Sequence, residues 1–327
     1  MLSNKQYSDI FHPPWWMKNP HLQTLWSPLF RSCRMPDYQR REHPLPDGDF
    51  LDLDCLYQKS CRKKFAILIH GLGGSSSSKY ICGLAHELFF AGYNIIALNQ
   101  RGCSGRPNRI ARTYHSGLTI DIQSVFTTLL SNYPECKLYA AGFSLGASQL
   151  LKWLGENHAE VSLEAAVAIS PPFSLDSAAR HLNIGFSILY RNFMISGLKK
   201  AILKQRKLFG SDIDWQRLKK ARDFWTFDDT VTGPVNGFDG ADDYYEKSSC
   251  GQFLKWIQTS TLIIHAKDDP FMGTTSLPLL TSITDSVRLE LHTHGGHVGF
   301  VGNKIAGKQR YYLEPTIINY FDNPHPK

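Results

Sequence analysis

Six short apolar runs, most of them separated from the next by a segment of helix length, constrain this chain more than any other feature. FAILIH (65–70) precedes a helix-like stretch from about Lys79 to Ala91, and YNIIALN (93–99) precedes another from about Leu118 to Tyr133. KLYAAGFS (137–144) leads into a helix through about Asn157, and LEAAVAIS (163–170) follows. TLIIHA (261–266) and VRLELHT (287–293) resume the pattern, with a helix predicted near 277–283 and a C-terminal helix containing YYLEPTIINYF (311–321). Continuous apolar strands alternating with helices predict an α/β fold whose mostly parallel sheet is covered on both faces.

Two segments stand apart from this rhythm. REHPLPDGDFLDLDCLY (41–57) reads as a hairpin turning at Asp47-Gly48, an antiparallel edge on the sheet. Residues 171–260 look helical and irregular and form a cap-like insert. The expected organisation is therefore an N-terminal segment and hairpin (1–57) packed on a main domain (58–327) that carries the insert.

With 327 residues, 42% of them apolar and 20% charged, the chain excludes disordered, collagen-like and coiled-coil readings. Its seven cysteines (33, 55, 61, 82, 103, 136, 250) show no metal-like spacing, and an odd count argues against a disulfide framework. The first residues lack the apolar core of a signal peptide, and no stretch reaches the roughly 18 apolar residues of a spanning helix. A cytoplasmic protein without a transmembrane segment is expected. The net charge of +7 is spread along the chain, and its densest basic run, Lys199 to Lys207, reads as a solvated helix face.

Gly142-Phe143-Ser144-Leu145-Gly146 matches G-x-S-x-G. The pentapeptide alone is weak, since chance gives roughly one match in ten chains of this length. Its setting is more specific, because it joins the apolar run 137–141 to the helical segment that follows. A serine held on such a turn is a nucleophile; the alternative for Ser144 is a helix cap.

Serine needs a general base and an acid that orients it, and in this fold class the chain order is serine, acid, histidine. Asp268 and Asp269 follow TLIIHA, and His292, His294 and His297 follow the last strand, so the order is met at strand ends. Asp269, directly before Pro270-Phe271-Met272, suits the acid position better than Asp268, for which a capping or salt-bridging role is the alternative. His297 follows Gly295-Gly296, a tight loop able to bring an imidazole toward Ser144, whereas His292 and His294 read as possible surface residues of a strand. A three-histidine zinc site is the competing use of this segment. The glycine-rich turn His70-Gly71-Leu72-Gly73-Gly74 offers the Leu72 N–H, beside that of Leu145, to an oxyanion. It carries neither phosphate-binding glycine motif.

Taken together, the sequence resembles the YheT-like group of α/β-hydrolases (AB hydrolase family 4) nearly from end to end. The strings that carry the resemblance include 19–24 (NPHLQT), 70–74 (HGLGG), 101–105 (RGCSG), 114–117 (YHSG) and 142–147 (GFSLGA). They continue through 227–229 (FDD), 265–272 (HAKDDPFM) and 294–300 (HGGHVGF). The resemblance implies an α/β-hydrolase fold with Ser144, Asp269 and His297 as triad, carboxylesterase activity, and acylglycerol hydrolysis or acyl transfer to alcohols in some relatives.

The expected function is hydrolysis of a small-molecule ester, in some cases lipid-like, with no cofactor. An acyltransferase, a non-catalytic binding protein on the same scaffold and a basic nucleic-acid-binding protein are the competing classes; no nucleic-acid motif is present. In the insert, Phe186, Ile188, Leu189, Tyr190, Phe193, Met194 and Ile195 are expected to pack onto the body, or to form an acyl-binding wall. Trp15 and Trp16 are read as a terminal segment docked on the body rather than a membrane anchor.

Overall fold

The computed structural model describes residues 11–59, 63–157, 162–273, 277, 283–305 and 308–324. An eight-stranded sheet runs β1-β2-β4-β3-β5-β6-β7-β8. Its strands are β1 (Gln39–Pro44), β2 (Phe50–Leu56), β3 (Lys64–Ile69), β4 (Asn94–Asn99), β5 (Lys137–Phe143), β6 (Leu163–Ile169), β7 (Thr261–Ala266) and β8 (Val287–His292). The six strands from β4 to β8 in this order pair in parallel, and β2 and β1 add antiparallel at one edge. The hairpin expected at 41–57 is this edge, and Gly48 supplies the left-handed residue of its turn at φ 86°.

Alternation along the strands builds the two cores. Phe65, Ile67 and Ile69 of β3 and Leu138 and Ala140 of β5 face one side, where helices α3 (Ile120–Asn132) and α4 (Leu145–Asn157) cover them with Phe126, Leu150 and Trp153. Ala66, Leu68, Tyr139 and Ala141 face the other, under α2 (Lys79–Phe90) and the C-terminal helix Leu313–Asp322. A helix α1 (Pro20–Phe30) precedes the sheet, capped by Asn19, whose Oδ1 accepts the His21 and Leu22 N–H groups, with Pro20 at the first helical position.

The structure differs from the sequence reading near the C-terminus. Residues 301–311, which carry no strong alternation, form a second, two-stranded sheet from Val301–Ile305 and Lys308–Tyr311. Tyr311 therefore ends a strand, and the helix begins at Leu313. The helix expected at 277–283 lies largely outside the described residues.

Between β6 and β7 the described elements are helices, including α5 (Leu175–His181) and α6 (Ser187–Lys204). They enclose a third apolar cluster around Phe209, Leu218, Phe227 and Tyr245, against which Leu25, Leu72 and Phe271 pack from the body. Buried at its centre, Asp228 accepts hydrogen bonds from the Thr232 and Tyr245 hydroxyls, and burial pushes its pKa up to about 7.

The unfolded chain releases this proton near pH 4, the folded chain near 7, so stability falls as pH rises through that interval and levels off above it. Asp228→Asn removes this term. Its melting temperature should drop less than wild type between pH 5 and pH 8, by roughly 2–5 °C. The buried histidines act in the opposite sense but equally in both proteins; parallel melting profiles would show that Asp228 ionises as in water.

Candidate active site

β5 ends at Phe143 and α4 begins at Leu145, so Ser144 makes the turn between them. Its φ of 52° is left-handed, a conformation that costs a residue with a side chain roughly 1–3 kcal/mol. The Ser144 N–H donates to Ile169 O at 2.8 Å, and its carbonyl accepts from Ser148 N at 3.0 Å, which tie the turn to β6 and to α4. The flanking glycines are steric necessities. A Cβ at Gly142 would lie 2.5 Å from Gly146 O, and one at Gly146 would lie 2.5 Å from His70 O.

The Ser144 Oγ meets His297 Nε2 at 2.8 Å, whereas a capping serine would turn back on the first amides of the helix. His297 Nδ1 lies 2.8 Å from Asp269 Oδ2, and Asp269 Oδ1 accepts the Phe271 N–H at 2.8 Å. An ionised carboxylate can only accept, so Nδ1 carries the proton and Nε2 is free to accept from the serine hydroxyl. Asp269 is almost wholly buried, and the Phe271 ring stacks on the imidazole at 4.1 Å and 13°.

Asp268 turns elsewhere. Its carboxylate accepts the Gly296 N–H at 2.9 Å and lies 3.3 Å from His294 Nδ1, and burial raises its pKa. It thus buttresses the loop before His297. His292 corrects the sequence reading: it is fully buried at the end of β8, where its Nδ1 accepts the Phe11 N–H at 3.2 Å. The histidines of this segment point to different partners, and the described residues contain no group of three ligands placed to hold a metal ion.

The turn at 70–74 leans against Ser144: a Cβ at Gly71 would lie 3.0 Å from Ser144 Cβ. Tyr80 and Tyr114 hydroxyls accept the N–H groups of Gly71 (3.0 Å) and Gly73 (2.7 Å). The intervening Leu72 N–H pairs with no described residue. Leu145 opens α4, so its N–H has no partner within the helix. His70 donates from Nδ1 to Gly71 O at 2.7 Å and accepts the Gln100 N–H at Nε2; burial lowers its pKa to about 4 and keeps it neutral for both roles.

Tyr80, Tyr114, Phe271 and Ser170 were not foreseen as parts of the site. Ser170 directly follows β6 at φ 49°, and its Oγ accepts the Val298 N–H at 3.1 Å, next to His297. A pattern of strand, glycine turn and helix marks Ser144 and its turn but carries no signal for a hydroxyl reaching the site from another segment. Arg101 of the RGCSG string proves to be a buried strut, bidentate to Asp121 at 2.7 and 2.8 Å and bonded to Asp47 and Asp49 of the edge turn.

The insert's apolar cluster divides. Tyr190 and Ile195 are buried, while Phe186, Leu189 and Phe193 are largely exposed. The expected packing onto the body is made by Tyr190 and by Phe186, whose ring lies 4.4 Å from that of His21, while Leu189 and Phe193 turn to solvent. Tyr190 touches the Phe271 ring at 5.0 Å and bonds His21 Nδ1 at 3.1 Å. At the N-terminus Trp16 packs on Trp26 at 5.4 Å and Met17 is buried, but Trp15 stands in solvent. No described helix is long and apolar enough to cross a membrane.

The sequence profile of the alpha/beta hydrolase fold matches residues 67–304. Over 95% of its length and 92% of the relative's, the chain is 36% identical to the candidate esterase YheT of Escherichia coli (strain K12). It is 31% identical to a monoacylglycerol lipase of Saccharomyces cerevisiae over 77% of this chain and 58% of that one. It is 27% identical to the human phospholipase ABHD3 over 94% and 77%. Among solved structures, the esterase EaEST of Exiguobacterium antarcticum superposes with a TM-score of 0.55 at 16% identity, covering 87% of this chain and all of that one (100%).

Proposed function

Because this chain belongs to the α/β-hydrolase family, and within it to the YheT-like group, we propose that it hydrolyses carboxylic esters through an acyl-enzyme on Ser144. The observation that carries this reading is the series Asp269–His297–Ser144, with two 2.8 Å contacts in a row.

In the first step His297 Nε2 takes the Ser144 proton as Oγ attacks the ester carbonyl, and Asp269 stabilises the imidazolium at Nδ1–H. The N–H groups of Leu72 and Leu145 stabilise the oxyanion. The imidazolium then returns its proton to the departing alcohol. Water enters, His297 removes its proton, and attack on the acyl carbon releases the acid and restores Ser144. No step in this route requires a cofactor.

Residues 171–260 act as the cap over the main domain (58–327), and of the N-terminal segment and hairpin (1–57) the described residues, 11–57, pack on that domain. The names of the yeast and human relatives favour acylglycerol-like or phospholipid-like substrates. Cytoplasmic residence fits the six described cysteines, all free thiols.

Two measurements on the purified protein test the proposal: p-nitrophenyl esters of graded acyl length, and intact mass after exposure to a fluorophosphonate. The expected result is turnover and a single adduct on Ser144; neither turnover nor adduct would end the proposal. Added alcohol that yields a new ester faster than free acid would move the assignment from hydrolysis to acyl transfer by the same residues.

A further inference from the structure

We propose that Gln23 and Thr24 of α1 are positioning residues for the histidine-bearing loop; the inference rests on the reading of His297 as general base. That loop is closed by one internal bond, Phe300 N–H to Gly295 O at 3.0 Å, and its backbone is strained. Gly296, Val298 and Phe300 all have left-handed backbone, with φ of 58°, 57° and 45°, two of them in residues with bulky side chains. The contacts of the imidazole with Ser144 and Asp269 fix the ring, but the backbone beneath it needs partners of its own.

α1 supplies them. Thr24 Oγ1 donates to Pro20 O at 2.7 Å and accepts the His297 N–H at 2.9 Å. Gln23, wholly buried, grips Val301 from both sides: Oε1 accepts its N–H at 2.7 Å and Nε2 donates to its carbonyl at 3.1 Å. The same Nε2 donates to Met17 O at 2.9 Å, anchoring the side chain to the segment before the helix.

The two surfaces fit so closely that side chains are excluded. A Cβ at Gly296 would lie 2.5 Å from Pro20 O, and one at Gly299 would lie 2.5 Å from Gln23 O. The string NPHLQT now has a physical reading. Asn19 and Pro20 fix where the helix starts, and that start sets Gln23 and Thr24 against a loop 273 residues further along the chain in the case of Thr24 and His297.

A base that drifts by about 1 Å loses on the order of 10²-fold in rate while ground-state binding is little changed. The test is Thr24→Val, which keeps the shape but removes the acceptor, beside Thr24→Ser, which keeps it. With p-nitrophenyl butyrate, Thr24→Val is expected to lower kcat by ~10–100-fold with KM within about 2-fold, and Thr24→Ser to recover kcat to within about 3-fold of wild type. Should Thr24→Val not fold, as judged by thermal melting, the smaller Thr24→Ala reads the same contact. A folded Thr24→Val or Thr24→Ala with wild-type kcat, a loss confined to KM, or a serine variant as slow as the valine would overturn the inference. Ser144→Ala run alongside keeps the two readings apart: if it is inactive while Thr24→Val is normal, the clamp alone fails; if it is fully active, the base reading fails with it.

Discussion

Ser144→Ala is expected to lower kcat on p-nitrophenyl esters by about 10⁴-fold or more, with KM little changed, and to abolish the fluorophosphonate adduct. No other described hydroxyl meets His297 Nε2, which lies 2.8 Å from Ser144 Oγ. Without that oxygen no acyl-enzyme forms, and the oxyanion donors can assist only a direct attack by water. Stability should barely move. The left-handed backbone of residue 144 costs alanine about what it costs serine, and the turn is held by backbone bonds to Ile169 and Ser148 that alanine retains. Turnover equal to wild type would remove the nucleophile and the mechanism with it.

The second large effect separates the two adjacent carboxylates. Asp269→Asn should cost on the order of 10⁴-fold in kcat. An amide that offers its NH₂ group to Nδ1 favours the tautomer with the proton on Nε2, where it can no longer accept from Ser144. Asp268→Asn should cost about 10-fold or less, because that carboxylate serves the Gly296 N–H and His294 rather than the base. Equal losses at the two positions would mean that the loop, and not the orientation of the imidazole, is what both variants damage.

What the sequence revealed and what it hid follow from how local each signal is. The parallel strands were legible because burial on both faces leaves continuous apolar runs such as FAILIH and LEAAVAIS. The convergence of Ser144 and His297 was legible because the turn chemistry that places them uses glycine at Gly142, Gly146 and Gly296, for which the close approaches give the reason. The choice of Asp269 over Asp268 rested on the neighbouring residues alone; the geometry now gives each a separate partner.

The supports were not legible. Thr24, Ser170, Tyr80 and Tyr114 each reach the site through a hydrogen bond to a backbone group between 9 and 273 residues away, and no periodicity reports such a bond. His292 looked like a surface residue because a single polar side chain near a strand end usually is one; the rings that pack on it include Phe11 and Tyr312, which lie far from it in sequence.

The exposed side of α6 and the tight turn at Ser144 divide the protein into regions of very different freedom for the engineer. Around Ser144, even one added methyl group meets backbone within 2.5 Å at Gly142 or Gly146, so those positions are closed to libraries. Phe186, directly before α6, and Leu189 and Phe193 on it meet solvent with half or more of their surface in two of the three cases and nearly half in the third, and Tyr190 of the same helix borders the Phe271 ring that stacks on His297. Randomising the three leaves Ser144, Asp269 and His297 untouched.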